Sequence, residues 1–69
     1  MTERELLESI GAKIKGVRKQ KGMSQMELGA KARLHHSSVS QIEHGNEGCL
    51  IATLKRIADV LEKDIKYFL

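Results

Sequence analysis

The side chains best suited to chemistry lie in the polar stretch from residue 35 to residue 46. Ser37, Gln41 and His44 recur at intervals of four and three, which places them on one side of a short helix. Val39 and Ile42 share the opposite side. The pattern predicts a helix that packs through a narrow apolar edge and exposes a hydrogen-bonding face.

The same stretch offers little for catalysis or metal binding. His35, His36 and His44 have no cysteine or carboxylate at ligand spacing, so they do not build a four-ligand site. The chain also lacks a nucleophile–base arrangement and a glycine-rich phosphate loop. We expect no enzymatic activity, no metal, no cofactor and no small-molecule ligand. Cys49 is the only cysteine, which excludes an internal disulfide and is typical of a reducing compartment.

Amphipathic helices must position this polar face. A first helix carries an apolar stripe and ends near Lys21 and Gly22. The stripe consists of Leu6, Leu7, Ile10, Ile14 and Val17. A second, short helix begins at Gln25, because Ser24 and Glu27 are spaced as a reciprocal capping box.

The rest of the chain is also helical in pattern. The third helix ends at Gly45, and a fourth follows a loop at residues 46–48. Its apolar positions are Leu50, Ile51, Leu54, Ile57, Ala58 and Leu61. Asp64 could cap a final turn that carries Ile65, Phe68 and Leu69. The chain lacks proline and has only two aromatic residues. We therefore predict one all-α domain over residues 1–69, located in the cytoplasm since no apolar run could cross a membrane.

Charge is distributed unevenly along the chain. Residues 13–33 contain seven basic side chains and one acidic one, a net charge of +6, whereas the remainder has five basic and eight acidic residues, a net charge of −3. Two short helices joined by a tight turn, the second with a broad polar face, have the geometry that holds a helix in the major groove of DNA. The sequence thus predicts a helix-turn-helix at about residues 24–45.

Residues 10 to 69 resemble the Cro/C1-type (XRE-like) helix-turn-helix domain of phage repressors and restriction-modification controller proteins. The matching motifs are Ile10-Gly11 with Ile14 and Arg18, Lys21-Gly22-Met23-Ser24-Gln25 with Glu27-Leu28, Ser37 with Val39-Ser40, Ile42-Glu43 and Gly45, and Thr53-Leu54 with Ile57-Ala58. The resemblance implies a compact five-helix lambda-repressor-like fold. It also implies a sequence-specific transcriptional regulator that binds an inverted-repeat operator in double-stranded DNA as a homodimer.

The resemblance assigns roles to individual residues. The positions that reach base edges correspond to His36, Ser37, Ser40 and Gln41, of which Gln41 is the strongest candidate because its amide can donate and accept at once on adenine. The positions that contact phosphates correspond to Ser24, Gln25, His44 and Asn46. Arg18 and Glu43 correspond to a structural ion pair. The dimer interface is expected at Leu61, Ile65, Phe68 and Leu69.

Four departures from the family pattern carry structural expectations. Arg33 replaces the glycine whose backbone has positive φ, which predicts a strain of about 1 kcal/mol if the turn is kept. Gly29 replaces an alanine at a close helix approach. His35 stands where serine or threonine would cap the third helix, and Cys49-Leu50 replaces Pro-Ser before the fourth.

A protein-interaction module is the main alternative, such as an antitoxin or an anti-repressor partner. Its signature would be a surplus of exposed apolar residues. A C-terminal cluster supplies such a surplus, although self-association explains it equally well; the cluster consists of Leu61, Ile65, Tyr67, Phe68 and Leu69. RNA binding is less favoured, because Tyr67 and Phe68 are the only aromatic side chains available for stacking. With no effector domain after residue 69, we expect control through protein concentration and operator arrangement.

Overall fold

The computed structural model describes all residues, 1–69, and contains four α-helices without any strand. These are α1 (Glu3–Gln20), α2 (Gln25–Ala32), α3 (His36–Glu43) and α4 (Ile51–Val60). The predicted all-α class is confirmed, but the predicted fifth helix is wrong. Ile65–Tyr67 form a single 3₁₀ turn, which Asp64 caps by accepting from the Lys66 N–H at 2.9 Å.

Three helix ends share one hydrogen-bonding pattern. After α1, Gly22 takes a left-handed conformation (φ 68°), and the Met23 and Gly22 N–H groups return to the Arg18 and Lys19 carbonyls at 3.1 and 3.0 Å. Gly45 does the same after α3 (φ 71°), as does Glu62 after α4 (φ 60°). The predicted ends at Gly22 and Gly45 are therefore confirmed.

The start of α1 has a capping box that the sequence analysis did not identify. The Thr2 hydroxyl accepts from the Glu5 N–H at 3.1 Å, and the Glu5 carboxylate accepts from the Thr2 N–H at 2.8 Å. The bond from the Thr2 N–H, with a smaller contribution from the Thr2 side chain, holds the pKa of the Glu5 carboxyl below its ordinary value.

One apolar core joins all the elements. It consists of Ile10, Ile14, Val17, Leu28, Ala32, Val39, Ile42, Leu54, Ile57, Ala58, Leu61 and Phe68. Most of the predicted stripes of α1 and α4 lie in this core. Leu6, Leu50 and Ile51 are exceptions because their side chains are exposed, and the half-buried Leu7 also lies outside the core. None of the helices is both long enough and apolar enough to span a membrane.

Two close contacts fix the position of α2 and α3. α1 crosses the C-terminal end of α3 at Gly11, where a Cβ atom would collide with the carbonyl oxygen of Ile42. At the end of α2, the Ala32 carbonyl accepts from Arg56 Nε of α4 at 3.0 Å. The pair α2–α3 is thus held against both long helices.

Candidate nucleic-acid interface

The N-terminus of α2 is formed by Ser24 and Gln25. Ser24 Oγ accepts from the Glu27 N–H at 3.0 Å. Only this half of the predicted capping box forms, because the Glu27 carboxylate lies 3.5 Å from Lys31 Nζ instead of reaching back to Ser24. Gln25 is half-buried, and its Nε2 donates to Glu43 Oε1 at 3.1 Å.

The turn between α2 and α3 keeps the geometry that normally requires glycine. Arg33 has φ 62° and ψ 45°, so the left-handed conformation of the family pattern is kept although glycine is replaced. The Leu34 N–H donates to the Gly29 carbonyl at 2.7 Å. A Cβ at Gly29 would lie 2.6 Å from the Leu34 oxygen, which explains why glycine stands at this approach.

α3 presents the polar face predicted from its spacing. Val39 and Ile42 are buried, His36, Ser37 and Gln41 are exposed, and Ser40 is half-buried. The side chains of His36 and Gln41 form no hydrogen bond within the chain, so their polar atoms are free for a partner.

His35 caps α3. Its Nδ1 lies 3.2 Å from the Ser37 backbone nitrogen, which donates to it, and 2.7 Å from Ser37 Oγ. The imidazole therefore takes the place of the serine or threonine hydroxyl expected at this position. Its ring stacks on that of His36, with ring centroids 4.4 Å apart.

Arg18 and Glu43 form a buried, two-pronged ion pair. Arg18 Nε lies 2.6 Å from Glu43 Oε2, and Arg18 Nη2 lies 3.0 Å from Oε1. Arg18 Nη1 also donates to the Met23 carbonyl at 2.7 Å. The hydrogen bonds that Arg18 donates to Glu43 raise the pKa of Arg18. Together with Gln25, this network ties α1, the start of α2 and the end of α3 into one unit.

Two predicted phosphate contacts lie beyond the C-terminal end of α3. His44 Nδ1 lies 2.7 Å from the Ser40 carbonyl oxygen, which can only accept, so Nδ1 carries the proton. Asn46 Oδ1 accepts from Arg4 Nη2 at 3.2 Å. Arg4 was missed in the sequence analysis, because no local pattern connects residue 4 with residue 46.

Ion pairs divide the basic residues of segment 13–33 into two groups. Arg18, Lys21 and Lys31 pair with Glu43, Glu62 and Glu27, respectively. The Lys21 ammonium, 2.9 Å from Glu62, holds the pKa of that carboxyl below its ordinary value. The cations of the segment without an ion pair are Lys13, Lys15, Lys19 and Arg33. These four side chains carry the positive charge of the segment that no ion pair neutralises.

The residues predicted to form a dimer interface differ in how much of their surface is exposed. Leu61 and Phe68 are 0% exposed within the single chain, so they have no surface to offer a second copy, and this part of the prediction needs correction. Both are needed to fill the core of so small a domain. Ile65 is half-buried and Leu69 is exposed.

Three exposed apolar side chains, Leu6, Ile51 and Leu69, line a cavity of about 240 Å³ between α1 and α4. The exposed Leu50 directly precedes Ile51 in the chain. We call these four residues the apolar patch. Cys49 also lines this cavity, and burial raises the pKa of its thiol. Nowhere do three or more His, Cys, Asp or Glu side chains meet in a way that could hold a metal ion.

A short supporting helix, a turn with one left-handed residue and a second helix with an exposed polar face define a helix-turn-helix DNA-binding domain. Residues 14–68 match the model of the helix-turn-helix family HTH_3. The chain belongs to this Cro/C1-type (XRE-like) family of DNA-binding transcriptional regulators.

Solved structures show the same fold. The restriction-modification controller protein C.AhdI from Aeromonas hydrophila is 24% identical, with a TM-score of 0.88 over 91% of this chain and 96% of its own. A mutant of the controller protein C.Esp1396I is 33% identical, with a TM-score of 0.83 over 91% of this chain and 80% of its own.

An HTH_3 family transcriptional regulator from Vibrio cholerae is 30% identical, with a TM-score of 0.90 over 97% of this chain. This chain covers 38% of that regulator. No match of significance was found among curated proteins.

Proposed function

We propose that the protein is a sequence-specific regulator of transcription that inserts α3 into the major groove of double-stranded DNA. The observation that supports this most directly is the exposed face of His36, Ser37 and Gln41 on a helix whose opposite edge is locked into the core. A recognition helix must be held rigidly. The Arg18–Glu43 ion pair and the close contact of Gly11 with the end of α3 hold it in this way. Ser40, half-buried beside this face, completes the proposed base-contacting set.

The phosphate contacts have a consistent hydrogen-bonding chemistry. The Gln25 amide nitrogen has two hydrogens, of which Glu43 takes one and leaves the second for a phosphate oxygen. Ser24 and Gln25 also lie where the free N–H groups of α2 favour an anion.

Beyond α3, Asn46 accepts from Arg4 through its oxygen, which leaves both amide hydrogens available to a phosphate. His44 uses Nδ1–H on Ser40, so it can donate to a phosphate only through Nε2–H of the imidazolium form. Arg4 adds a guanidinium at the same end, and phosphate contacts of this kind fix the register of the helix on the duplex.

We further propose a homodimer on an inverted repeat, with an interface at the apolar patch in place of Leu61 and Phe68. Leu50 is 78% exposed and Ile51 is 65% exposed, a costly arrangement for an isolated chain of this size. A second copy would bury these side chains and set two recognition helices about one DNA turn apart.

The apolar patch also favours a second candidate function, a protein-interaction module that holds a different protein.

One experiment distinguishes the DNA-binding function from the protein-interaction function. Duplexes are selected from a random library with the purified chain at moderate salt, and the enriched sequences are compared with those from Gln41→Ala. Gln20→Ala is a matched control, because this exposed glutamine lies at the end of α1, outside α3.

We expect wild type and Gln20→Ala to enrich the same inverted repeat. Gln41→Ala should lose preference at one position of each half-site by about tenfold or more, since one bidentate base contact is worth about 1–3 kcal/mol. Binding that depends on salt and ignores sequence, or no enrichment at all, would favour the protein-interaction function.

A further inference from the structure

His35 constrains the hydrogen bonding of Ser37, one of the proposed base-contacting residues. A backbone N–H can only donate, so the 3.2 Å contact between the Ser37 nitrogen and His35 Nδ1 requires an unprotonated Nδ1. The same Nδ1 lies 2.7 Å from Ser37 Oγ. Because this nitrogen has no hydrogen, the serine hydroxyl must donate to it.

Once its hydrogen points at His35, Ser37 Oγ can only accept from DNA. A free serine hydroxyl can donate or accept and therefore suits any base. An acceptor-only hydroxyl suits the amino groups of adenine N6 and cytosine N4, whereas guanine and thymine present oxygens at the corresponding major-groove edge. The hydrogen bond between Ser37 and His35 would thus make the contact of Ser37 with a base selective for adenine or cytosine.

Other contacts keep this pair in place. The His35 ring stacks on His36 at a centroid distance of 4.4 Å with the planes inclined by 30°, which limits its rotation. Ser37 Oγ has no other partner within the chain, and in particular does not bond a carbonyl of the preceding turn, as helical serines often do.

We propose that His35 is a positioning residue that makes Ser37 select adenine or cytosine at the operator position it reaches. This inference rests on the proposed function, because it needs α3 in the major groove. His35 itself was not among the residues predicted to contact DNA.

The test repeats the duplex selection with four variants: His35→Ala, His35→Asn, Ser37→Ala and the double variant His35→Ala/Ser37→Ala. Asparagine places Oδ1 where Nδ1 lies and can accept from both Ser37 groups, so it retains the cap and the constraint. Thermal unfolding of each variant establishes that it is folded at the selection temperature.

We expect wild type and His35→Asn to prefer adenine or cytosine at one half-site position by about fivefold or more. The preference arises because these bases donate one hydrogen bond to Ser37 Oγ, whereas guanine or thymine would place an acceptor against it. His35→Ala should admit guanine or thymine at that position alone. In the Ser37→Ala background, the His35 substitution should change the preference no further. Long-range ¹H–¹⁵N spectra of the free protein should show His35 protonated at Nε2 only.

Three results would overturn the inference while leaving the proposed function intact. The first is an unchanged base preference in a folded His35→Ala variant. The second is a change of base preference on His35→Ala that is just as large when Ser37 is already alanine. The third is a neutral His35 ring that carries its proton on Nδ1. A wild-type chain that selects no sequence would instead overturn the proposed function, and this inference with it.

Discussion

At the scale of single residues, Glu43 performs two tasks with one carboxylate. It neutralises the buried Arg18 guanidinium through contacts at 2.6 and 3.0 Å, and it orients the Gln25 amide at 3.1 Å. The first contact holds α3 against α1, and the second prepares the proposed phosphate contact of α2. In our proposal, stability and DNA affinity are therefore coupled through the same side chain.

Removal of this carboxylate should be severe. Glu43→Ala leaves Arg18 buried and unpaired, which costs about 3–5 kcal/mol in comparable buried pairs. We expect a corresponding fall in the free energy of unfolding, measured by urea denaturation followed by circular dichroism. The double variant Arg18→Met/Glu43→Met removes both charges and should be more stable than Glu43→Ala. A decrease of less than about 1 kcal/mol in the free energy of unfolding of Glu43→Ala would show that the ion pair contributes little to stability.

At the scale of helices, two glycines have opposite surroundings. Gly29 in α2 lies against the chain that enters α3, and an added Cβ would be 2.6 Å from the Leu34 oxygen. Gly16 in α1 has no atom within 4 Å of such a Cβ. The first glycine permits the close approach of the two helices, whereas the second serves no packing purpose.

Alanine at these two positions should therefore change stability in opposite directions. Gly16→Ala should stabilise the protein by about 0.5–1 kcal/mol through helix propensity. Gly29→Ala has the same gain in propensity, but the backbone displacement it forces costs about 1–3 kcal/mol, so a net loss is expected. Thermal unfolding compares the two directly, and a stabilised Gly29→Ala would mean that the turn relaxes freely.

The capping box of α1 predicts a dependence on pH. Hydrogen bonds from Thr2 lower the pKa of Glu5 in the folded state, so its contribution is complete above the pKa of the unfolded chain and disappears as the pH falls through the folded value. Urea unfolding of wild type and Glu5→Ala should differ at neutral pH and converge in acid. Glu3→Ala is the control, because Glu3 lies in the same first turn of α1 but takes no part in the capping box. A difference that persists in acid would contradict the assignment.

At the scale of the whole molecule, the polar and apolar surfaces serve different partners in our proposal. The exposed face of α3 meets DNA, and the apolar patch meets a second copy of the chain. Ile51 is the first residue of α4, where an acidic side chain is compatible with the helix dipole. It can therefore be changed without damage to the fold.

Ile51→Glu should weaken dimerisation without unfolding the protein. A charge buried in an apolar interface should raise the dimer dissociation constant by about tenfold or more, the effect of 1.4 kcal/mol. Sedimentation equilibrium without DNA measures this constant. Ala12→Glu adds the same charge at an exposed position of α1 and should leave it unchanged. A wild-type chain that stays monomeric would contradict the proposed dimer, and an unaffected dissociation constant in Ile51→Glu would place the interface elsewhere.

Much of the local structure was predictable because it depends on neighbouring residues. Apolar spacing identified α1 and α4, and the spacing of Ser24 and Glu27 marked the start of α2. Gly22 and Gly45 marked helix ends. The polar face of α3 followed from spacing alone, since side chains three and four apart share one side of a helix.

Tertiary structure decided the features that join distant parts of the chain. Periodicity could not tell that Phe68 is buried whereas Ile51 is exposed, because burial depends on what packs opposite. Nor could it reveal the contact between Arg4 and Asn46, or that the His35 imidazole caps α3 by accepting from the Ser37 backbone N–H. Hydrogen-bond direction and surface exposure are set by three-dimensional neighbours, which a one-dimensional pattern does not contain.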